Sequence, residues 1–356
     1  MASKAKVDLR FTLPKSDSAL TAPAVLSLLD GRAAVSPSAV DRAHIDDWTR
    51  KAALGSPDAQ FQLARILTSG EPLSADNRAA VKWLRKAAEK EHAASQHLLG
   101  VLIARAQGVR ADPAKAVELF RSAAIMGNAD AQYDLGRALT WGFGTEPNRR
   151  EALTWFRLAA AQGHTKSELE VGLAYALGHG CEVNLRQATG WLRKAALNHS
   201  PEAAYELGRL YMRPDNSMAN NADAFKWFAE AARSGLADAQ YQLALFYWAG
   251  RGVERNLPLC FDWSRRAAAQ AQIPALVLLS KLYEKGMGCR IDRIAAYALA
   301  LFAYHLGRHS NSLEIEEETR LRKDELSIAC SHSETLAASM MAKDARSSAE
   351  LIRALL

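Results

Sequence analysis

The sequence predicts an all-α solenoid built from helix–turn–helix repeats, and three observations at one period carry that prediction. A small residue recurs every 36 positions, at Ala64, Gly100, Gly136, Gly172, Gly208, Ala244 and Ser280. An Asp or Asn follows twelve positions later, at Asp76, Asp112, Asn148, Asn184, Asn220, Asn256 and Asp292. A large apolar residue follows after nineteen, at Trp83, Leu119, Trp155, Trp191, Trp227, Trp263 and Leu299. Self-similarity at a period of about 20–50 residues is the signature of stacked supersecondary units.

Within a unit, the first helix places its apolar residues on one stripe. In the third unit these are Ala131, Leu135, Gly136 and Leu139, the i, i+4, i+5, i+8 pattern of a helix face. The small central residue, which is Gly100, Gly136, Gly172 or Gly208 in four units, lets a second helix approach closely. A glycine-punctuated turn comes next, as in Gly142 with Gly144 or Gly250 with Gly252, where positive φ is expected. The Asp or Asn then caps the second helix by accepting from a free backbone N–H. Asn148 with Glu151 and Asn184 with Gln187 have the spacing of capping boxes. The second helix carries the tryptophans Trp83, Trp155, Trp191, Trp227 and Trp263, expected to fill the interior between neighbouring units, and an Ala–Ala pair in six of the seven units.

These residues resemble the Sel1-like repeat, a relative of the tetratricopeptide repeat. The likeness rests on the A-x-x-x-L-G-x-x-Y segment, the G-x-G turn, the Asp/Asn cap and the A-x-x-W-x-x-x-A-A-x-x-G helix, and it runs over residues 58–307. The resemblance implies a right-handed superhelical solenoid that acts as a protein–protein interaction scaffold without catalysis. The fifth unit departs from the pattern: Met212-Arg213-Pro214-Asp215-Asn216 replaces the glycine turn, which marks either another loop shape or a contact site.

Outside the repeats, residues 1–38 are rich in Ser, Ala and Pro and read as a disordered leader. A strand-like docking arm and an export signal are the competing readings. Residues 39–57 read as a half repeat that caps the N-terminal end, with Trp48 and Ala52–Ala53 keeping the pattern. Residues 308–356 read as capping helices, over 311–330 and 334–356. The first carries Glu316–Arg320 and Glu318–Arg322 on an exposed face; the second has Leu336, Met340, Leu351, Ile352 and Leu355 on an apolar side. A dimerisation helix is the rival for this end.

Composition narrows the class. The 356 residues are 49% hydrophobic and 24% charged, with a net charge of +6, a mild excess that does not compel nucleic-acid or membrane binding. No run reaches the ~18 apolar residues of a membrane span, and the first residues lack the apolar core of a secretory signal. Cytoplasmic residence is the expectation. The four cysteines fit it: Cys181 and Cys289 share one repeat position three units apart, which at ~8–10 Å per helix layer is far beyond disulfide reach.

The sequence has no H-E-x-x-H, C-x-x-C, P-loop or G-x-S-x-G pattern, so neither a catalytic residue, a metal site nor a cofactor is assigned. His92, His164 and His199 are read as equivalent inter-repeat loop residues. The resemblance implies that first-helix positions three before and one after the central small residue face the concave side. Those rows supply the candidate partner-binding residues Phe61, Arg65, His97, Tyr133, Arg137, Tyr205, Arg209, Tyr241 and Lys281, with Trp248 grouped beside them. Aromatic and arginine side chains are what binding hot spots favour. The expected occupant is an extended protein or peptide segment of acidic-apolar character. The arginines have a structural alternative, pairing with Asp58, Asp130 and Glu202 seven positions upstream. Changing Arg137 and Arg209 to Glu is expected to abolish partner capture at nearly unchanged stability. The alternative functions are a secreted effector and a hydrolase-type relative; self-association is open.

Overall fold

The structure is a computed structural model that describes residues 42–70, 75–310, 312–345 and 347–355. The expected leader and residues 71–74 lie outside that set. The described residues form eighteen helices and no strand. A single helix, α1 (Arg42–Ala53), precedes seven helical hairpins. The first helices of the hairpins, called A, are α2 (Pro57–Ser69), α4 (Ala93–Ala104), α6 (Ala129–Trp141), α8 (Thr165–Leu177), α10 (Pro201–Met212), α12 (Ala237–Ala249) and α14 (Ile273–Lys285). Their B partners are α3 (Asn77–Ala88), α5 (Pro113–Ile125), α7 (Arg149–Ala161), α9 (Leu185–Leu197), α11 (Asn221–Arg233), α13 (Leu257–Ala269) and α15 (Arg293–Gly307). Three helices follow: α16 (Leu313–Ala329), α17 (His332–Asp344) and α18 (Ser348–Ala354). Helix contacts group the chain into two units, residues 1–162 and 163–356.

Local chemistry sets the helix ends. All seven expected Asp/Asn residues cap a B helix, each side chain accepting from a backbone N–H two or three residues on. The expected reciprocal bond from Glu151 does not form; its carboxylate takes Arg121 (2.6 Å) and the Trp155 indole N–H (3.2 Å) instead. At the A–B turn the two glycines have different tasks. The first, such as Gly142 (φ 72°), ends the A helix in the left-handed region. The second packs against the preceding hairpin: a Cβ at Gly144 would lie 2.2 Å from the Pro113 carbonyl oxygen, and one at Gly108 would lie 2.4 Å from the Asn77 carbonyl carbon. The G-x-G turn is therefore an inter-repeat contact as well as a bend.

A buried glutamine ties four of the seven A helices to the helix before it. Gln60, Gln96, Gln132 and Gln240 donate to the carbonyls of Ala52, Ala88, Ala124 and Ala232, each eight residues upstream. In the fifth hairpin the altered turn supplies its own ties. The Arg213 guanidinium donates to the Ala176 carbonyl one hairpin back (3.0 Å) and to Asp215, while buried Asn216 donates to the Leu210 carbonyl.

The core register corrects the sequence reading. Trp83, Trp155, Trp191, Trp227 and Trp263 are half-buried rather than interior. The fully enclosed residue is the next one along: Leu84, Phe120, Phe156, Leu192 and Phe228. Phe120, Phe156, Leu192 and Phe228 each press on the small A-helix residue twenty positions earlier. A Cβ added at Gly100, Gly136, Gly172 or Gly208 would sit 2.6–2.9 Å from Phe120, Phe156, Leu192 or Phe228 respectively. Where the A position already holds Ala244 or Ser280, the B position shrinks to Ser264 or Ala300. A tryptophan has an indole N–H that needs a partner, so the seam at the surface suits it better than the hairpin interior.

The C-terminal end also differs from expectation. Arg322 is buried and does not pair with Glu318; it donates to Ser280 and Glu284, each at 2.9 Å, joining α16 to the last A helix. Residues 334–356 form two helices, not one. Leu351 and Ile352 enter the core, but Leu336 and Met340 are exposed while Ala338 and Ala342 face inward. His199 is not equivalent to His92 and His164. Those two are A-helix N-caps, whereas His199 (φ 61°) occupies the left-handed position one residue earlier.

Candidate functional site

The candidate partner-binding residues all lie on A helices, five on the A-helix face of each unit. In the first unit the face is built from α2, α4 and α6. Arg65 holds its guanidinium over the Phe61 ring at 5.8 Å, and Arg137 stands over Tyr133 at 5.6 Å. His97 Nε2 meets the Asp134 carboxylate at 2.7 Å, which brings neighbouring A helices onto one surface. In the second unit, Arg209 stands over Tyr205 at 5.8 Å and pairs with Glu206 at 2.9 Å. Tyr241, Trp248 and Lys281 share this unit and are half-buried.

In the row one after the small residue, basic and apolar residues alternate from hairpin to hairpin. An arginine follows an aromatic by one helical turn in three hairpins, as Phe61–Arg65, Tyr133–Arg137 and Tyr205–Arg209. The even hairpins place Val101, Leu173 and Leu245 there. Such stacked guanidiniums gain on the order of 0.5–1 kcal/mol when exposed and more when desolvated.

Three details differ from the sequence reading. Arg137 is 6% exposed, so it is a packed residue, and its replacement by Glu cannot be neutral to stability. Arg65 and Arg209 bond to Gln62 and Glu206, three residues upstream, rather than to residues seven upstream. Asp58 instead meets His92, and Glu202 accepts from Ser200. The row two before the small residue, with Asp134, Glu170 and Glu206, also places carboxylates on these faces. It keeps the same 36-residue spacing, so the sequence carries its signal beside the aromatic row.

Burial perturbs two of the phenols. Tyr205 is pushed up to about 12, by desolvation first and then by Asp238. Tyr241 is pushed up to about 12 by desolvation and then by Glu318 of α16. Desolvation also lifts Glu206, partly offset by Arg209. No nucleophile–base pair accompanies these groups, and no cluster of three metal-ligating side chains occurs among the described residues. No helix among them is long and apolar enough to cross a membrane.

The model of the Sel1 repeat matches seven consecutive segments, residues 57–92, 93–128, 129–164, 165–200, 201–236, 237–271 and 273–307. The chain belongs to the Sel1 repeat family. Sel1 repeats generally mediate protein–protein interaction and are generally non-catalytic scaffolds. Among solved structures, this Sel1 repeat protein is similar to a protective antigen of uropathogenic Escherichia coli that displays the same fold. The two share 24% identity over 88% of this chain and 66% of the antigen, with a TM-score of 0.77. A Sel1 repeat protein from Oxalobacter formigenes shares 26% identity over 63% of this chain and 90% of its own, with a TM-score of 0.57. This Sel1 repeat protein thus spans just under two thirds of the antigen's length. No curated protein matches it.

Proposed function

We propose that this protein is a non-catalytic scaffold whose A-helix faces each hold a stretch of partner polypeptide in a concave groove. The observation that supports the reading is the repeated aromatic–arginine stack of Phe61–Arg65 and Tyr205–Arg209, half-exposed in each unit. A guanidinium fixed on a ring keeps donors directed outward at little further cost in side-chain entropy, and it can take a carboxylate or carbonyl through charge-assisted bonds. Asp134 and Glu206 beside the arginines favour a partner of mixed charge with apolar side chains over a purely acidic one. The same reading places the protein in the cytoplasm, where its four free cysteines are the ordinary state.

The test is affinity capture from the native cell with wild-type protein and with Arg65→Glu/Arg209→Glu. These two positions replace the buried Arg137 as probes. Loss of captured proteins at unchanged helicity supports the groove. Capture indifferent to the double change refutes it.

A further inference from the structure

Two B helices carry a second surface. The helices α3 and α9 share the tetrapeptide Trp-Leu-Arg-Lys, at residues 83–86 and 191–194. In both, the leucine is the enclosed core residue, so Trp, Arg and Lys are left for the solvent side. Lys86 Nζ stands 4.7 Å from the Trp83 ring centre, and Lys194 Nζ stands 5.4 Å from that of Trp191. Each indole borders an open groove, of about 350 Å³ in the first unit and about 370 Å³ in the second.

Two observations separate these faces from ordinary solvated helix surface. The first is Gly190. It sits inside α9, where glycine is the least favourable residue after proline, and a Cβ there would meet nothing within 4 Å. The six other B helices hold Lys82, Glu118, Thr154, Lys226, Asp262 and Ala298 at this position. Packing therefore does not demand the glycine, which lines the groove beside Trp191. The second is charge. Neither α3 nor α9 contains an acidic residue. On α3, Arg78, Lys82 and Arg85 are exposed with no ion-pair partner among the described residues. On α9, Lys194 pairs with buried Glu168 yet keeps 48% of its side chain exposed.

We propose that the Trp83 and Trp191 grooves each dock an acidic peptide segment through one apolar side chain, which lies against the indole while flanking carboxylates meet the Arg and Lys groups. In the same unit, Lys115 of α5 is paired with Glu118 and Arg121 with Glu151, whereas the basic groups of α3 carry no such pairing among the described residues. An indole flanked by cations matches an apolar side chain flanked by carboxylates. This surface is distinct from the A-helix faces and stands or falls separately.

The experiment uses the full chain and a fluorescein-labelled peptide, Glu-Asp-Glu-Phe-Glu-Asp-Glu, read by anisotropy. Binding of about two peptides per chain is expected, weakened at least about tenfold when Phe is replaced by Ser. Gly190→Leu should fill one groove and remove one site while raising helix propensity, so loss of fold is not the cause. Lys82→Glu/Lys86→Glu should remove the other, and the combined variant should bind neither. Arg209→Glu should leave binding intact, which separates this result from failure of the A-face reading. The proposal is overturned if the peptide does not bind, or if the combined variant binds like wild type. It is equally overturned if Arg209→Glu alone abolishes binding, or if a 20-residue oligothymidine or phosphatidylserine vesicles bind more tightly than the peptide.

Discussion

The knob-and-notch pair between A and B helices can be tested by exchange. Gly136 and Phe156 form one such pair, and the buried Ala64 and Leu84 hold the same register positions in the same unit. Gly136→Ala places a Cβ 2.6 Å from Phe156 Cε1, with ordinary contact beginning at 3.4 Å. The ring is 5% exposed and belongs to the core, so relief requires movement of a packed side chain. Overpacking of this kind costs about 1–3 kcal/mol, while Gly→Ala inside a helix returns about 1 kcal/mol. The net is a loss of about 1 kcal/mol.

Phe156→Leu alone opens a cavity and costs about 1–2 kcal/mol, well below the ~3–5 kcal/mol of truncation to alanine. Gly136→Ala/Phe156→Leu recreates the Ala64–Leu84 combination, so the double variant should be more stable than the sum of its parts by at least about 1 kcal/mol. Urea unfolding followed by circular dichroism gives the cycle. Amide exchange across α6 and α7 localises it, because repeat arrays need not unfold in one step. Additivity within about 0.5 kcal/mol would show that the twenty-residue pairing carries no packing information.

Three further outcomes follow from individual residues. Gly144→Ala, at φ 64° and facing the Pro113 carbonyl, should destabilise the first unit by about 2–4 kcal/mol, seen as a lower urea midpoint and early exchange at the α5–α7 contact. Ala271→Gly relaxes a non-glycine residue at φ 61° and should raise the thermal midpoint, through about 0.5–1 kcal/mol. Tyr205 is an acid whose folded pKa, about 12, lies above its usual 10; the unfolded chain therefore loses this proton first, and stability from this group is present below pH 10 and declines as pH rises toward 12. Tyr205→Phe should flatten that part of the pH–stability curve relative to wild type, and an unchanged slope would remove Tyr205 from the account.

Much of the fold was legible because its signals are local. An Asp at a helix start and a glycine at a helix end act within four residues, so Asp112 and Gly142 announce their roles in one dimension. The core register was not legible in the same way. Trp155 and Phe156 are adjacent and both apolar, and on a helix they point about 100° apart. Only the notch at Gly136, on another helix, selects Phe156. The same limit explains the C-terminal error, where Leu336 and Met340 outrank Ala338 and Ala342 in hydrophobicity but not in fit. Arg137 shares its row with Arg65 and Arg209, and nothing along the chain distinguishes the buried one. The A-face candidates were found by spacing, whereas the carboxylates among them gain significance only from partners such as His97 and Arg209.

The residues that hold the hairpins together and the residues free to bind are sorted by position within the same 36-residue ruler. Core, cap, latch and turn positions are constrained by neighbours: Gly100 by Phe120, Gln96 by the Ala88 carbonyl, Gly108 by Asn77. Positions such as 65, 82, 190 and 209 meet no such demand, so their side chains can follow a partner rather than the fold. A residue that is costly for the helix and idle in packing is then the most informative kind in a repeat protein. Arg137 fails that criterion through burial, and the five seam tryptophans meet it only in part, since each also covers a hairpin junction. Gly190 is such a residue: the helix is weakened and no neighbour needs the space.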